Sequence, residues 1–237
     1  MRLHRKAAIV VLLLAAAGCR HAARPGPLPP DWQTLVSEPR PFAALYRFSC
    51  CGYRDLVLTV RTDGKRLSLT VAVPPGGTAL SAWVESDGGW LRRAKEGCRE
   101  PLPKGVLPVS ASSSLPLDPR LATLLLTGLL PSDARELPEL PGWVEATASG
   151  FSWRARVEGP EPRCTRVLVT HPGKESALLD AELESAPSRV SGVMPMPRAI
   201  QLVAGSVKAE LILQAWQTSE PPAPPPWLSA PVCGARP

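Results

Sequence analysis

The sequence predicts a mainly β fold with inserted helices (α+β), built on a curved antiparallel sheet. Apolar and polar residues alternate over several short segments, and clusters of Gly, Pro and Asp separate these segments. One leucine-rich stretch, Leu117–Leu130, has helical spacing and is too apolar to face water. A chain of 237 residues is long enough for one domain with a sizeable core.

The clearest alternation runs through residues 54–93, which we interpret as an antiparallel meander. Asp63-Gly64 is a strong hairpin signal, and a two-residue turn there would place Val60 opposite Leu67. Two further turns follow, one rich in proline and glycine and one made of two glycines. After each turn the apolar residues of the next strand fall on the same face of the sheet. The apolar face of the meander would then consist of Leu56, Leu58, Val60, Leu67, Leu69, Val71, Val73, Leu80, Ala82, Val84 and Leu91.

Two helices are predicted around this meander. Leu117–Leu130 has Asp118 as its N-cap and a proline in the first helical position, which favours a helix start. A helix this apolar needs a partner, and the concave face of the meander is the obvious one. Asp31–Glu38 is expected to be a short amphipathic helix capped by Asp31, with an inner stripe formed by Trp32, Leu35 and Val36. Ala94–Pro116 is interpreted as a long irregular loop, either a functional lid or a plain excursion.

Strands are expected again from Trp143 onward, which gives nine to eleven antiparallel strands in the whole chain. The arginines of the 151–157 strand are expected to pair with Asp180, Glu182 and Glu184 across the outer face. The predicted strands are Trp143–Ala148, 151–157, Val167–Thr170, 179–184, Arg198–Val203 and Val207–Trp216.

The N-terminus is typical of an exported lipoprotein. A basic start precedes an apolar run too short to span a bilayer, and the run ends in Ala16-Ala17-Gly18-Cys19. This segment resembles a bacterial lipoprotein signal, which implies that residues 1–18 are removed and that Cys19 is acylated. An ordinary signal peptide with a chance cysteine is the alternative. Arg20, rather than aspartate, favours anchoring at the outer membrane, on its periplasmic face.

After the signal peptide, the chain is predicted to consist of a flexible tether (19–30), the folded domain (31–217) and a proline-rich tail (218–237). The net charge of +6 falls to +3 when the three basic residues of the signal are removed. A net charge of +3 is too small to indicate the strongly basic surface of a nucleic-acid-binding protein.

Cysteine usage indicates disulfides, because an exported chain meets an oxidising compartment. Five cysteines follow the lipidation site, so at most two bridges form and one thiol is left. We predict one bridge from the Cys50/Cys51 pair to Cys98 and another from Cys164 to Cys233. No metal site is expected, because Cys-x-x-Cys spacing is lacking.

Catalysis is not predicted. The sequence has no nucleophile elbow, phosphate-binding loop or dinucleotide fingerprint, and His171 is the only histidine in the predicted folded region. No cofactor is expected. A sheet with an apolar helix on its dry side either encloses a cavity for an apolar ligand or packs solid. The first predicts a binding protein, and the second a structural or protein-interaction module of the cell envelope.

The order of elements carries a family resemblance. The leucine-rich helix ends in Gly128-Leu129-Leu130-Pro131, a Trp143-Val144 strand follows, and the last strands contain Pro197 to Leu202 and Ala215-Trp216. Over about residues 31–216 this resembles the LolA/LolB superfamily of periplasmic and outer-membrane lipoprotein carriers, closest to the lipid-anchored, LolB-like members.

The resemblance implies an incomplete barrel, closed by helices, whose cavity accepts acyl chains of lipoproteins or lipids. It also implies handover from a periplasmic carrier protein, and we expect a monomer. The membrane-contact loop of LolB-like proteins would fall at Pro74 and Pro75, although this loop lacks their large apolar tip. The implied ligand-binding residues are Leu58, Val60, Leu67, Leu69, Val71, Leu80 and Val84 in the wall, with Leu121, Leu124 and Leu125 in the lid.

Overall fold

A computed structural model describes residues 26–36, 40–103, 106–108, 114–148, 150–172, 176–185 and 196–234. The predicted signal peptide and Cys19 lie outside these residues, as do Glu38 and most of the serine-rich part of the 94–116 segment. No helix among the described residues is long and apolar enough to cross a membrane.

The predicted fold class is confirmed: the chain is mainly β, with a large curved antiparallel sheet that does not close into a barrel. One α-helix, α1, spans Pro119–Thr127, and short 3-10 helices span Pro30–Leu35 and Pro226–Ser229. The strands are β1 (Phe42–Cys50), β2 (Tyr53–Thr62), β3 (Leu67–Val73), β4 (Gly77–Glu85), β5 (Gly88–Arg93), β6 (Glu100–Pro103), β7 (Val106–Pro108), β8 (Ser114–Pro116), β9 (Arg135–Glu136), β10 (Trp143–Ala148), β11 (Phe151–Glu158), β12 (Arg163–Thr170), β13 (Ala177–Ser185), β14 (Pro197–Ala204) and β15 (Val207–Thr218).

Thirteen strands form one sheet in the order β6-β5-β4-β3-β2-β1-β15-β14-β13-β12-β11-β10-β9. The chain therefore makes two meanders, which meet where β1 pairs with β15 near the middle of the sheet. The strands β7 and β8 form a separate hairpin within the segment predicted to be an irregular loop. That interpretation of residues 94–116 was wrong, because three short proline-containing strands, β6 to β8, occupy it.

The turn between β2 and β3 is longer than predicted. Thr62 rather than Val60 pairs with Leu67, because residues 63–66 all belong to the turn. The Asp63 carboxylate accepts hydrogen bonds from the amides of Lys65 and Arg66, at 3.0 and 2.7 Å, and from the Arg66 guanidinium. The register error is two residues, which is the side-chain period of a strand, so the apolar face was still assigned correctly.

One of the two predicted α-helices is present but shorter than predicted, and the other is not an α-helix. Asp118 caps α1 as predicted, since its carboxylate accepts from the amides of Arg120 and Leu121. The helix ends earlier than predicted, at Thr127, because Gly128 adopts a left-handed φ of 68° and closes it. The N-terminal α-helix with an Asp31 cap was wrong: residues 30–35 form a 3-10 helix that begins with proline and has no side-chain cap.

The predicted outer-face ion pairs were assigned to the wrong strands. The strand β12 lies between β11 and β13, so the arginines of β11 cannot reach the acids of β13. Asp180 pairs instead with Arg166 of β12, at 2.6 Å. Arg154 of β11 pairs with Glu145 of the neighbouring β10, at 3.8 Å.

The predicted disulfide pairing was also wrong. Cys98 is bonded to Cys233, while Cys50, Cys51 and Cys164 are free thiols. The bridge fixes the proline-rich tail beside the edge strand β6, where the amide of Arg99 donates to the carbonyl of Pro231. The tail therefore lies against the edge of the sheet instead of projecting from it.

The opposite edge of the sheet is paired by the other end of the chain. Gly26, within the predicted tether, exchanges two 3.0 Å backbone hydrogen bonds with Glu136 of β9. An edge strand exposes unpaired amides and carbonyls that invite association with other chains. Both edges of this large sheet are thus partly occupied by segments from the termini.

Candidate functional site: an apolar pocket

An apolar pocket of about 330 Å³ lies between the inner face of the sheet and the layer formed by α1 and the β7–β8 hairpin. None of the described residues in its wall has a charged side chain. The sheet contributes Phe48, Cys50, Leu58, Val60, Leu67, Leu69, Val71, Leu80, Leu179, Ile200, Leu202, Ala204, Val207, Ala209 and Leu211. The covering layer contributes Leu107, Leu115, Pro116, Leu117, Ala122, Leu125 and Leu126.

Small side chains explain why this volume is unfilled. Ala122 of α1 faces the pocket, as do Ala204 and Ala209 at the hairpin between β14 and β15. Elsewhere the same interior is filled by large buried side chains such as Tyr46 and Trp153. Because protein interiors pack densely, a row of small residues on facing elements leaves open space unless a neighbour expands into it.

Seven of the ten residues predicted to bind acyl chains line this pocket: Leu58, Val60, Leu67, Leu69, Val71, Leu80 and Leu125. The other three, Val84, Leu121 and Leu124, lie outside the pocket wall in the packed core, with exposed fractions of 1% or less. The helix α1 covers the pocket through Ala122, Leu125 and Leu126 instead.

Sequence reasoning missed the wall contributed by β13, β14 and β15. The signal was present, because Val207, Ala209 and Leu211 alternate with polar residues in β15. The β7–β8 hairpin was also missed, because prolines obscured its strand pattern. Leu107 and Leu115 of that hairpin face the pocket.

The end of the pocket near the β1–β2 and β3–β4 turns has an apolar rim, which we define as Tyr53 and Val73. Tyr53 pairs with Cys50, which lines the pocket, because an extra residue near Asp55 shifts the register of β2. Val73 continues the alternation of Leu69 and Val71 toward the turn. Tyr53 is 67% exposed and Val73 44% exposed, so the apolar face of the sheet continues from the pocket into solvent.

The residues predicted to contact a membrane are next to this rim. Pro74 and Pro75 lie in the exposed turn between β3 and β4. The turn has no large apolar side chain of its own. Val73, immediately before it, supplies an exposed apolar side chain.

Two of the free cysteines lie at the pocket mouth and the third lies elsewhere. Cys50 lines the pocket, and burial together with the adjacent Cys51 thiol raises its pKa to about 12. Cys164 is 3% exposed, and burial raises its pKa to about 12. Its thiol donates to the carbonyl of Arg166 at 3.8 Å.

Among the described residues, the one group of potential metal ligands is Glu96, Cys98 and Cys233. Both of these cysteines are consumed by the disulfide, so they offer no thiolate. His171 lies 5.6 Å from Phe151, measured between ring centroids, and belongs to no such group.

No protein-family model and no curated protein matches the sequence. Solved structures do match. A LolA superfamily protein from Nitrosomonas europaea aligns with a TM-score of 0.53 at 11% identity, over 81% of this chain and 92% of that protein. The chain has the LolA fold.

Two further solved structures are similar to this chain in fold. One is a Vibrio parahaemolyticus domain named for outer membrane lipoprotein sorting, with a TM-score of 0.52 and 9% identity over 80% of this chain and 90% of that one. The other is a DUF1329 family protein from Desulfovibrio piger, with a TM-score of 0.50 and 10% identity over 81% of this chain and 90% of that one. At these identities the similarity is one of fold.

Proposed function

We propose that this chain is a LolB-like, outer-membrane-anchored lipoprotein that binds acyl chains and carries or inserts lipids or lipoproteins at the outer membrane. The observation that carries the proposal is the apolar wall that the described residues form around the pocket. The similarity in fold to a LolA superfamily protein and to a domain named for lipoprotein sorting supports it.

The pocket suits a single hydrocarbon chain better than a polar metabolite. Its volume is at the lower end of the range of about 300–1,000 Å³ found for ligand sites. The described residues of its wall offer no charge to fix a polar group, so affinity must come from burial. Each methylene removed from water contributes about 0.8 kcal/mol, so about ten methylenes contribute about 8 kcal/mol before the costs of association.

Transfer of cargo requires only a difference in affinity between donor and acceptor. A burial-driven site has no covalent step, and its occupancy follows the relative affinities of the two partners. We propose a periplasmic carrier protein as donor and the membrane as acceptor. The Cys19 anchor would keep the acceptor membrane close, because the lipobox-like sequence ends only seven residues before Gly26, which is paired to the sheet.

The rim would be the route between the pocket and the membrane. Tyr53 and Val73 extend the apolar face outward, and Pro74 and Pro75 stand beside them in the exposed turn. A chain leaving the pocket along this face would avoid contact with water for most of its path. We therefore assign the membrane contact to the rim and its proline turn together.

A substitution that fills part of the pocket tests the proposal. The mature chain from Arg20, which keeps every residue described here, is titrated with a fluorescent fatty acid, and copurified lipid is measured by mass spectrometry. Ala209→Leu places extra methylenes inside the pocket and is expected to weaken uptake about tenfold, which corresponds to about 1.4 kcal/mol.

Ala215→Leu is the matched control, because Ala215 lies on the same strand but is exposed. It should leave uptake unchanged. If the unmodified chain binds neither the fatty acid nor copurifying lipid, the carrier function is wrong and a structural or interaction module remains. Equal losses in both variants would place the binding site elsewhere.

A further inference from the structure

The thiols of Cys50 and Cys51 are in unusually close contact. Their Sγ atoms lie 2.6 Å apart. This distance is shorter than a hydrogen bond between two thiols allows, and it approaches the ~2.05 Å of a covalent S–S bond. The contact therefore identifies the two sulfur atoms as a potential bonded pair.

The backbone explains how neighbouring residues come to share one side. In a strand, consecutive side chains point to opposite faces, which would separate the two sulfur atoms. Here Cys51 and Gly52 form the two-residue turn between β1 and β2, and both have left-handed φ values, 56° and 82°. This conformation favours Gly, Asn or Asp, so a cysteine in the first position is accommodated at a cost of about 1 kcal/mol or more.

The remaining cysteines beyond Cys19 leave the pair no other partner. Cys98 and Cys233 are bonded to each other. Cys164 is buried, and its Cβ lies 3.6 Å from where a Cβ on Gly128 would be, next to the end of α1. The odd cysteine count is then accounted for by two bridges and one buried thiol.

We propose that Cys50 and Cys51 form a vicinal disulfide at the mouth of the pocket in the exported protein. Cys50 lines the apolar pocket, so the bond would form part of its wall. Cys51 is exposed, and it lines a surface groove together with Tyr53 and Lys208. A disulfide carries no S–H group, so oxidation makes this part of the wall less polar and holds the turn in one conformation.

The bond forms by thiol–disulfide exchange with an oxidised dithiol protein of the exported compartment. The exposed Cys51 loses its proton and attacks a sulfur of the partner's disulfide, and the partner's second sulfur leaves as a thiolate. The Cys50 sulfur then attacks Cys51, loses its proton, and releases the partner as a dithiol. Two electrons and two protons pass from the pair to the partner. The half-buried position of Cys50 makes Cys51 the first nucleophile.

This bond should be easier to reduce than the bridge to the tail. Adjacent Cα atoms are ~3.8 Å apart across a trans peptide, which is less than the ~4.4–6.8 Å that disulfides normally span. A strained, partly exposed bond has a more oxidising potential. The Cys50–Cys51 bond is therefore expected to open at lower reductant concentration than Cys98–Cys233.

Peptide mass spectrometry tests the proposal on the full lipoprotein. The chain is exported in a bacterial host, extracted in mild detergent without reductant, denatured, treated with iodoacetamide and digested with trypsin. Cleavage after Arg47 and Arg54 yields Phe48–Arg54, which contains both cysteines and no other. The expected peptide is unalkylated and two hydrogens lighter than the dithiol; after reduction it takes up two alkyl groups.

The control is Cys51→Ser, in which the same peptide should carry one alkyl group without prior reduction. Two alkyl groups on the unreduced native peptide would overturn the proposal, as would recovery of this peptide linked to the Cys98 or Cys164 peptide.

The position of the bond in the pocket wall rests on the proposed function and is tested separately. In the mature chain loaded with fatty acid, reduction of the Cys50–Cys51 bond should slow by at least about threefold, while reduction of Cys98–Cys233 should not change. If fatty acid does not bind at all, the carrier function fails while the disulfide is still decided by its peptide mass. Bound fatty acid without protection would place the bond outside the wall.

Discussion

Ala44 of β1 lies directly opposite Trp216 of β15, and both belong to the interior face. This pairing depends on Gln214. Leu45 pairs with Ala215 and the next residue, Tyr46, with Leu213, so Gln214 is an extra residue in β15. The bulge reverses the alternation of side chains beyond it, which turns Trp216 inward and leaves Ala215 exposed.

Deleting Gln214 should therefore destabilise the domain far more than replacing it. The deletion restores strict alternation and moves the indole of Trp216 to the outer face, with an expected loss of about 2–3 kcal/mol in the free energy of unfolding. Gln214→Ala keeps the residue count and removes only hydrogen bonds to carbonyls of its own strand. It should cost less than about 0.5 kcal/mol. Urea denaturation of both variants decides the matter, and equal stabilities would show that the bulge does not position Trp216.

The pattern-based prediction succeeded where strand periodicity alone decides the result. The strand Trp143–Ala148 was predicted with the bounds that the structure has. The turn at Asp63 was given the wrong length, and the apolar face remained correct because the shift was two residues. A one-residue bulge, in contrast, moves every side chain beyond it to the other face of the sheet. Gln214 resembles any polar strand residue, so the sequence contains no signal that it is the extra one, and strict alternation from Leu211 would place Trp216 on the outer face.

The candidate site was predictable in its chemistry and less so in its extent. Alternation identified Leu58, Leu69 and Leu80 as members of an apolar face, and they line the pocket. Val84 has the same alternation but lies in solid core. Which parts of an apolar interior stay open depends on the summed volumes of facing side chains, and those become known only when the elements are docked. The same holds for the partner of Cys98, which depends on the path of the tail.

The turn at Asp63 gives a prediction about pH. Burial raises the pKa of Asp63, but hydrogen bonds from the Arg66 guanidinium and from the amides of Arg66 and Lys65 outweigh it. The pKa is therefore lowered below its ordinary value of 3.8. Because the folded state favours the carboxylate, this contribution is fully present above the ordinary pKa and is lost as the pH falls through the folded-state value.

Asp63→Asn keeps an acceptor oxygen and removes the charge, so it isolates this contribution. We expect a loss of about 1 kcal/mol in the free energy of unfolding at about pH 7, since Arg66 is partly exposed, and a smaller difference at about pH 3, below the ordinary pKa. Asp87→Asn, at an exposed aspartate in the turn between β4 and β5, is the control and should cost less than about 0.5 kcal/mol at either pH. A difference between wild type and Asp63→Asn that does not change with pH would contradict the ionic role of Asp63.

The rim gives a prediction about membranes. Tyr53 and Val73 are exposed apolar side chains on the pocket face, and contact with a bilayer would remove both from water. Each contributes about 1 kcal/mol or more when it is buried at an interface. The double variant Tyr53→Ser/Val73→Ser should therefore reduce binding of the mature chain to phosphatidylethanolamine–phosphatidylglycerol vesicles by about tenfold or more, as measured by flotation.

Leu140→Ser is the matched control. Leu140 is 43% exposed, similar to Val73, but it lies in the turn that leads into β10, at the end of the sheet away from the rim. Its replacement should leave vesicle binding unchanged. If Leu140→Ser weakens vesicle binding as much as the double variant does, membrane contact is a general property of exposed apolar residues. If the double variant binds as well as the native chain, the membrane contact assigned to the rim is wrong, and cargo must leave the pocket by another route.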